Sequence, residues 1–133
     1  MKVFQDSFSI ETESGEFYNI TEKVEEIVEK SGVKSGLCNV SVPGSTGVIA
    51  VNEDERMLKQ DFRDSFEDIA PSTGLYQHPD NAYSHIRALF LGSEKTLPVK
   101  DGKLLLGTWQ SIFLIEMDNG PRKRSVQVTV IGE

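Results

Sequence analysis

The chain reads as one α+β domain, largely antiparallel, with about seven strands and two or three helices. Three observations predict this. Alternation of period two opens the chain over residues 2–12 and closes it over Arg124–Ile131, and helical periodicity is confined to three stretches between them. The last third runs strand after strand through short turns, a pattern that favours antiparallel pairing because parallel strands need long crossovers. At 133 residues, with no repeat, low-complexity tract or linker, the sequence fits a single domain.

In the first strand Phe4, Phe8 and Ile10 share one face while Gln5, Ser7 and Ser9 share the other. Glu13-Ser14-Gly15-Glu16 supplies a turn. Asn19-Ile20-Thr21-Glu22 has the form of a capping box, opening a helix with the apolar stripe Ile20, Val24, Ile27 and Val28, which Gly32 closes. Extended runs at Val33–Val42 and Val48–Val51 flank Pro43-Gly44-Ser45-Thr46-Gly47, a loop whose glycines can bring backbone amides close to a ligand.

From Asp54 to Ile69 the residues Leu58, Phe62, Phe66 and Ile69 recur at helical spacing until Pro71 and Gly74 end the helix. A third helix spans Asp80–Leu91, with Ala82, Ile86, Leu89 and Phe90 as its expected core face and Gly92 as its cap. Asp101-Gly102 is a hairpin signal between Leu97-Pro98-Val99 and Leu104-Leu105-Leu106. Trp109–Met117 is apolar on both faces and needs cover from both sides, for which a subunit contact is one source.

A formal charge of −7 argues against nucleic acid or anionic lipid as a partner, the only basic cluster being Arg122-Lys123-Arg124. The first residues lack the apolar core of a signal peptide, and no apolar run approaches the ~20 residues that span a membrane. A soluble cytoplasmic protein is expected. Cys38, the single cysteine, has no base nearby in sequence and reads as a small buried strand residue.

The two histidines, His78 and His85, bracket Asn81 at spacings that place all three on one helix face. Imidazole changes charge near neutral pH, so this cluster suits a metal, a phosphate or a proton transfer. Two imidazoles alone do not make a zinc site, and further ligands would come from elsewhere. Asp61, between Leu58 and Phe62, lies close to an apolar stripe and would need a partner; Asn52 and Asp54 read as helix caps. Arg122 and Arg124 share the parity of Val126, Val128 and Val130, which aims both guanidinium groups either toward the interior mouth, for phosphate or carboxylate recognition, or outward as snorkelling turn residues. Glu116 interrupts the face of Gln110, Ile112 and Leu114 and suits one of those arginines as a partner.

Taken in order, Val51-Asn52-Glu53, Tyr76-Gln77-His78, Asn81-Ala82, His85, Leu91-Gly92, Gly107-Thr108-Trp109-Gln110, Glu116 and Pro121-Arg122-Lys123-Arg124 resemble the YjbQ-like family from about Phe4 to Gly132. The resemblance implies a β-sandwich-like α+β fold, a homotrimer, and a site near subunit boundaries. It makes His85, His78 and Asp61 catalytic, and Asn81, Ser45, Thr46, Gln110, Arg122 and Arg124 substrate-binding. A divalent metal, zinc or magnesium, would rest on His78, His85, Asp61 and Glu53. One departure is visible: where the family carries a histidine before its two threonine-like positions, this chain has Gly44.

Members of the family are often labelled secondary thiamine-phosphate synthases, which implies transfer chemistry on small phosphorylated substrates. Metal-assisted or acid–base hydrolysis, and non-catalytic binding of a small anionic metabolite by a trimer, are the alternatives that the same residues serve.

Overall fold

The computed structural model describes residues 1–133 and contains eight strands and three helices. They run β1 (Lys2–Thr12), β2 (Phe17–Asn19), α1 (Thr21–Ser31), β3 (Ser35–Ser41), β4 (Gly47–Asn52), α2 (Arg56–Ile69), α3 (Ala82–Leu91), β5 (Glu94–Lys100), β6 (Lys103–Leu104), β7 (Ser111–Glu116) and β8 (Arg122–Gly132). A five-stranded sheet has the order β1-β8-β3-β5-β6 and a three-stranded sheet the order β2-β7-β4, with every pairing antiparallel. The expected antiparallel α+β domain is therefore what forms.

β7 explains the arrangement. Ile112 and Leu114 point into a core shared with α1 and the five-stranded sheet, against Val24, Val40, Val126 and Val128. Phe113, Ile115 and Met117 point the other way, into a second core with Phe66 of α2 and Ala88 of α3. The three-stranded sheet thus lies between two cores, and the two-faced apolarity of Trp109–Met117 is satisfied within one chain, without a neighbour. Trp109 itself stays outside β7 and is 72% exposed.

Local chemistry accounts for most boundaries. Gly32 ends α1 in the left-handed region at φ 70°, its N–H bonded to Glu29 O. Asp101 and Gly102 have φ of 54° and 79°, the two positive values that a tight hairpin turn between β5 and β6 requires. Gly36 of β3 faces Gly132 of β8, where a Cβ would meet Ile131 O at 1.9 Å; only glycine lets those backbones approach.

Several expected details differ. The capping box does not form: Asn19 turns its Oδ1 to the N–H and hydroxyl of Thr21 and its amide to Asp54, because Asp54 draws it toward α2. α2 starts at Arg56, capped by Glu55, whose carboxylate accepts from Met57 N and Leu58 N; Asp54 instead pairs with Lys59 at 2.7 Å, and Asn52 accepts from Glu53 N. β2, three residues long, is too short to show a period. α3 buries Ala82, Ser84, Arg87 and Ala88, so Leu89 and Phe90, expected in the core, stand 80% and 71% exposed. The small residues are those that fit against β4.

Cys38 is fully buried, and burial pushes its thiol pKa up to about 11. Iodoacetamide at pH 8 is accordingly expected to leave it unmodified in the folded protein and to label it in denaturant; rapid labelling of the native protein would contradict this packing.

Candidate functional site

His78 is not on a helix. It occupies the turn before α3, Asn81 is the residue at which α3 begins, and His85 lies one turn inside. The three nevertheless converge. The two imidazole rings meet edge to face with centroids 5.1 Å apart, and His78 Nε2 lies 3.2 Å from Asn81 Oδ1.

Behind Asn81 a buried network runs across the sheet. The Asn81 amide donates to Asp118 at 3.2 and 3.3 Å; Thr46 Oγ1 donates to Asp118 at 3.0 Å and accepts from Arg124 Nη2 at 2.9 Å. Arg124 donates through both Nε and Nη2 to Glu116, which also accepts from Thr12 Oγ1 at 2.6 Å and from Asp118 N. Thr12, Thr46, Glu116, Asp118 and Arg124 are all buried. No buried side-chain nitrogen or oxygen of the chain lacks a partner, as a polar cluster inside a core requires.

The directions of these bonds are set by chemistry. Guanidinium only donates and carboxylate only accepts, so protons point from Arg124 through Thr46 to Asp118, and from His78 through Asn81 to Asp118. The Asn81 amide nitrogen must face Asp118, its oxygen must face His78, and neutral His78 must carry its hydrogen on Nε2. That leaves Nδ1 of His78 with its lone pair available beside His85.

Burial acts to raise the pKa of Glu116, but hydrogen bonds from Arg124, Thr12 and the Asp118 N–H outweigh it and hold the group below its ordinary value. Asp118 follows the same balance: burial raises, bonds from Asn81, Thr46 and Asn119 N lower, and the Arg122 charge lowers further, for a net decrease. Arg122 reaches Asp118 at 3.2 Å from a half-exposed position. Both arginines expected to hold an anion are therefore already paired with carboxylates, except that Arg124 Nη1 makes no bond within the chain.

Two open hollows flank His85. One, of about 470 Å³, is lined by Gly44, Ser45, Gly47, Leu89 and Ser93 as well as His85. The other, of about 400 Å³, is lined by Tyr76, Gln77, His78, Ala82, His85 and Ile86.

The remaining expected residues do not join them. Asp61 is exposed on α2, because the buried stripe there narrows to Phe66 and leaves position 61 in solvent. Glu53 lies at the end of β4 with no side-chain bond, and Gln110 turns its Oε1 back to Gly107 N at 2.7 Å. No three His, Cys, Asp or Glu side chains stand close enough to hold a metal ion. The expected set of His78, His85, Asp61 and Glu53 is not assembled by one chain. Thr46 is a buried link in the network rather than a surface contact, whereas Ser45 is exposed beside His85. Asp118 went unread because it falls in Asp118-Asn119-Gly120-Pro121, which scans as a turn; its even spacing from Leu114 and Glu116 was the available signal.

The sequence profile described as "UPF0047 protein YjbQ-like" matches residues 6–133. The chain belongs to the YjbQ-like UPF0047 family. A UPF0047 protein of Methanothermobacter thermautotrophicus is 42% identical over 121 residues, covering 89% of this chain and 84% of that one. The UPF0047 protein sll1880 of Synechocystis is 35% identical across 97% of this chain and 92% of its own. Among solved structures, a YbjQ-like protein of unknown function from Sulfolobus solfataricus superimposes with TM-score 0.96 at 43% identity, covering 99% of each chain. An uncharacterized conserved yjbq/upf0047 family protein from Clostridium acetobutylicum does so with TM-score 0.90 at 36% identity, over 95% of this chain and 99% of its own.

The YjbQ-like departure at Gly44 has a structural counterpart. Gly44 has φ +129°, a region side chains rarely adopt, and a Cβ there would lie 3.2 Å from Arg124 Nη1. The unbonded guanidinium nitrogen of Arg124 therefore lies close to the loop that lines the hollow.

Two outcomes are expected. Nitrogen NMR of neutral His78 shows the Nε2–H tautomer in the native protein and loses that preference in Asn81→Ala; an Nδ1–H tautomer in the native protein contradicts the network. Because Glu116 and Asp118 are held low in the folded state, their stabilisation is complete above the ordinary carboxylate range, about pH 4, and is lost as pH falls from there through their folded values. Asp118→Asn should be less stable at pH 7 and show a shallower decline in unfolding free energy below about pH 4. A mutant curve parallel to that of the native protein would contradict it.

Proposed function

We propose that this family member binds a small phosphorylated or carboxylate metabolite across the two hollows that share His85, with the Gly44–Gly47 loop on one side and His78 on the other, and acts on it by imidazole acid–base chemistry. The observation that carries this reading is the oriented line from Asp118 through Asn81 to His78, which leaves an accepting Nδ1 beside the ring of His85. Ser45 and His85 line the hollow and supply donors for an oxyanion. In a hydrolytic reaction one imidazole would take the proton of an attacking water while the other donates to the departing oxygen.

The residues of one chain do not fit a divalent metal by themselves, since two imidazoles without a third ligand leave the donor set short. The proton transfer proposed here uses imidazole alone. Thiamine-phosphate-synthase-like transfer, joining a pyrimidine diphosphate to a thiazole phosphate, has weaker support. Its departing diphosphate calls for several cationic groups, and Arg122 and Arg124 are each engaged by a carboxylate.

We also propose that the chain works as a cytoplasmic homotrimer. No helix is long and apolar enough to cross a membrane. Leu89 and Phe90 are exposed on the helix that carries His85, and Leu89 lines the hollow itself, so a neighbouring subunit there would cover apolar surface and complete the wall of the site. Light scattering at micromolar concentration is expected to give three times the chain mass, and Phe90→Glu to give a monomer. A monomeric native protein would remove the shared site.

The functional reading is tested by titrating labelled protein with inorganic phosphate while observing both histidines. Saturable shifts at His85 in the millimolar range are expected. Phosphate that leaves both imidazoles unmoved would overturn it. Once a substrate is found, His85→Ala in a catalyst should lose about a hundredfold or more in turnover and keep most affinity, whereas loss of affinity alone would mark a binding protein.

A further inference from the structure

A second cleft, of about 400 Å³, opens between α2, α3 and the turn after β1, away from the two hollows at His85. Its apolar floor is Phe66, Ile115 and Met117, and its polar wall includes Arg63, Tyr83 and Arg87. Arg87 dominates it.

Arg87 is a fixed group. Its side chain is 10% exposed, its Nε and Nη2 donate to Ala70 O at 3.1 and 2.8 Å, and its guanidinium lies over the Tyr83 ring at 4.9 Å. Nη2 also donates to Glu67 Oε1 at 2.8 Å. Nη1 makes no bond within the chain, and because no buried side-chain nitrogen lacks a partner, Nη1 reaches solvent from a side chain that lines the cleft. The Tyr83 hydroxyl likewise has no partner. Arg63 Nε is held on Gly15 O at 3.2 Å and contributes a second guanidinium to the same wall.

Glu67 marks what the free edge of Arg87 accepts. It is a half-exposed carboxylate, 51% open to solvent, on the guanidinium of an otherwise buried arginine. The geometry points to a binding site for a small monocarboxylate in this cleft. Its carboxylate would take the Nη1–Nη2 edge of Arg87 in place of Glu67, and its apolar body would lie over Phe66, Ile115 and Met117. A flat two-oxygen group matches the planar fork of arginine. A dianion such as phosphate is disfavoured, because Asp64 and Glu67 also line the cleft and offset the charge of its two arginines.

The same arrangement makes Glu67 an internal competitor. Glu67→Gln keeps an oxygen for the N–H of Ser72, which Glu67 now accepts at 3.0 Å, but removes the charge that occupies Arg87. The test uses the full chain, nitrogen-labelled, titrated separately with 4-methylpentanoate and with inorganic phosphate. The acid is expected to shift the Arg87 Nε and Ser72 amide signals saturably, with affinity about tenfold higher in Glu67→Gln, the worth of one charge-assisted hydrogen bond. Arg87→Lys should abolish those shifts while the amide spectrum of the sheets is preserved. The proposal is overturned if the acid shifts neither signal in native protein or in Glu67→Gln, if Glu67→Gln binds no tighter, or if phosphate shifts the same signals at lower concentration. Since the probe signals lie outside the His85 hollows, failure here leaves the imidazole reading standing, and the reverse also holds.

Discussion

The buried pair of Glu116 and Arg124 is the constraint from which the functional end of the molecule follows. Two charges removed from water cost several kcal/mol each, and they persist here because further bonds support both partners: Thr12 on one carboxylate oxygen, the Asp118 N–H on the other, and Thr46 on the arginine. Those are also the residues that position the rest. Thr46 comes from the loop before β4, Thr12 from the end of β1, Glu116 from β7 and Arg124 from β8, so one ion pair ties both sheets together at the end where the histidines lie.

From that pair the order passes outward by bonds whose direction cannot reverse. Asp118 accepts from Thr46, Asn81 and Arg122 at once, and is thereby the point where a structural ion pair becomes a device for orienting His78. The cost is that the arginines nearest the hollow are no longer free cations, apart from Nη1 of Arg124. On the proposed reading, this favours proton transfer over charge neutralisation.

Much of the frame was legible in the residues. The parity of Arg124 with Val126, Val128 and Val130 and the intrusion of Glu116 on an apolar face together anticipate the ion pair, because period-two geometry leaves few places for such side chains to go. The convergence of His78, Asn81 and His85 was legible too, though for the wrong reason: a turn, rather than a shared helix face, brings His78 in. α3 misled because its largest apolar residues, Leu89 and Phe90, face outward while Ala82, Ser84 and Ala88 make the contact, and hydrophobicity weighs size where close packing against β4 selects smallness. Asp118, for all its parity with Glu116, and Arg87 were the least legible, since a carboxylate in a turn and an arginine on a helix look solvated until tertiary structure closes over them.

The dependence of the site on its buried pair is most directly measured by a double-mutant cycle of Glu116→Leu and Arg124→Met, reading urea unfolding and phosphate affinity on the same four proteins. Each single variant leaves one buried charge unpaired and should lose roughly 3–5 kcal/mol. The double variant should regain most of that stability and none of the phosphate affinity, since apolar residues can fill the core but cannot hold Thr46 and the loop that carries it. Single variants as stable as the native protein, or a double variant that binds phosphate as well as it does, would contradict the view that this pair positions the site.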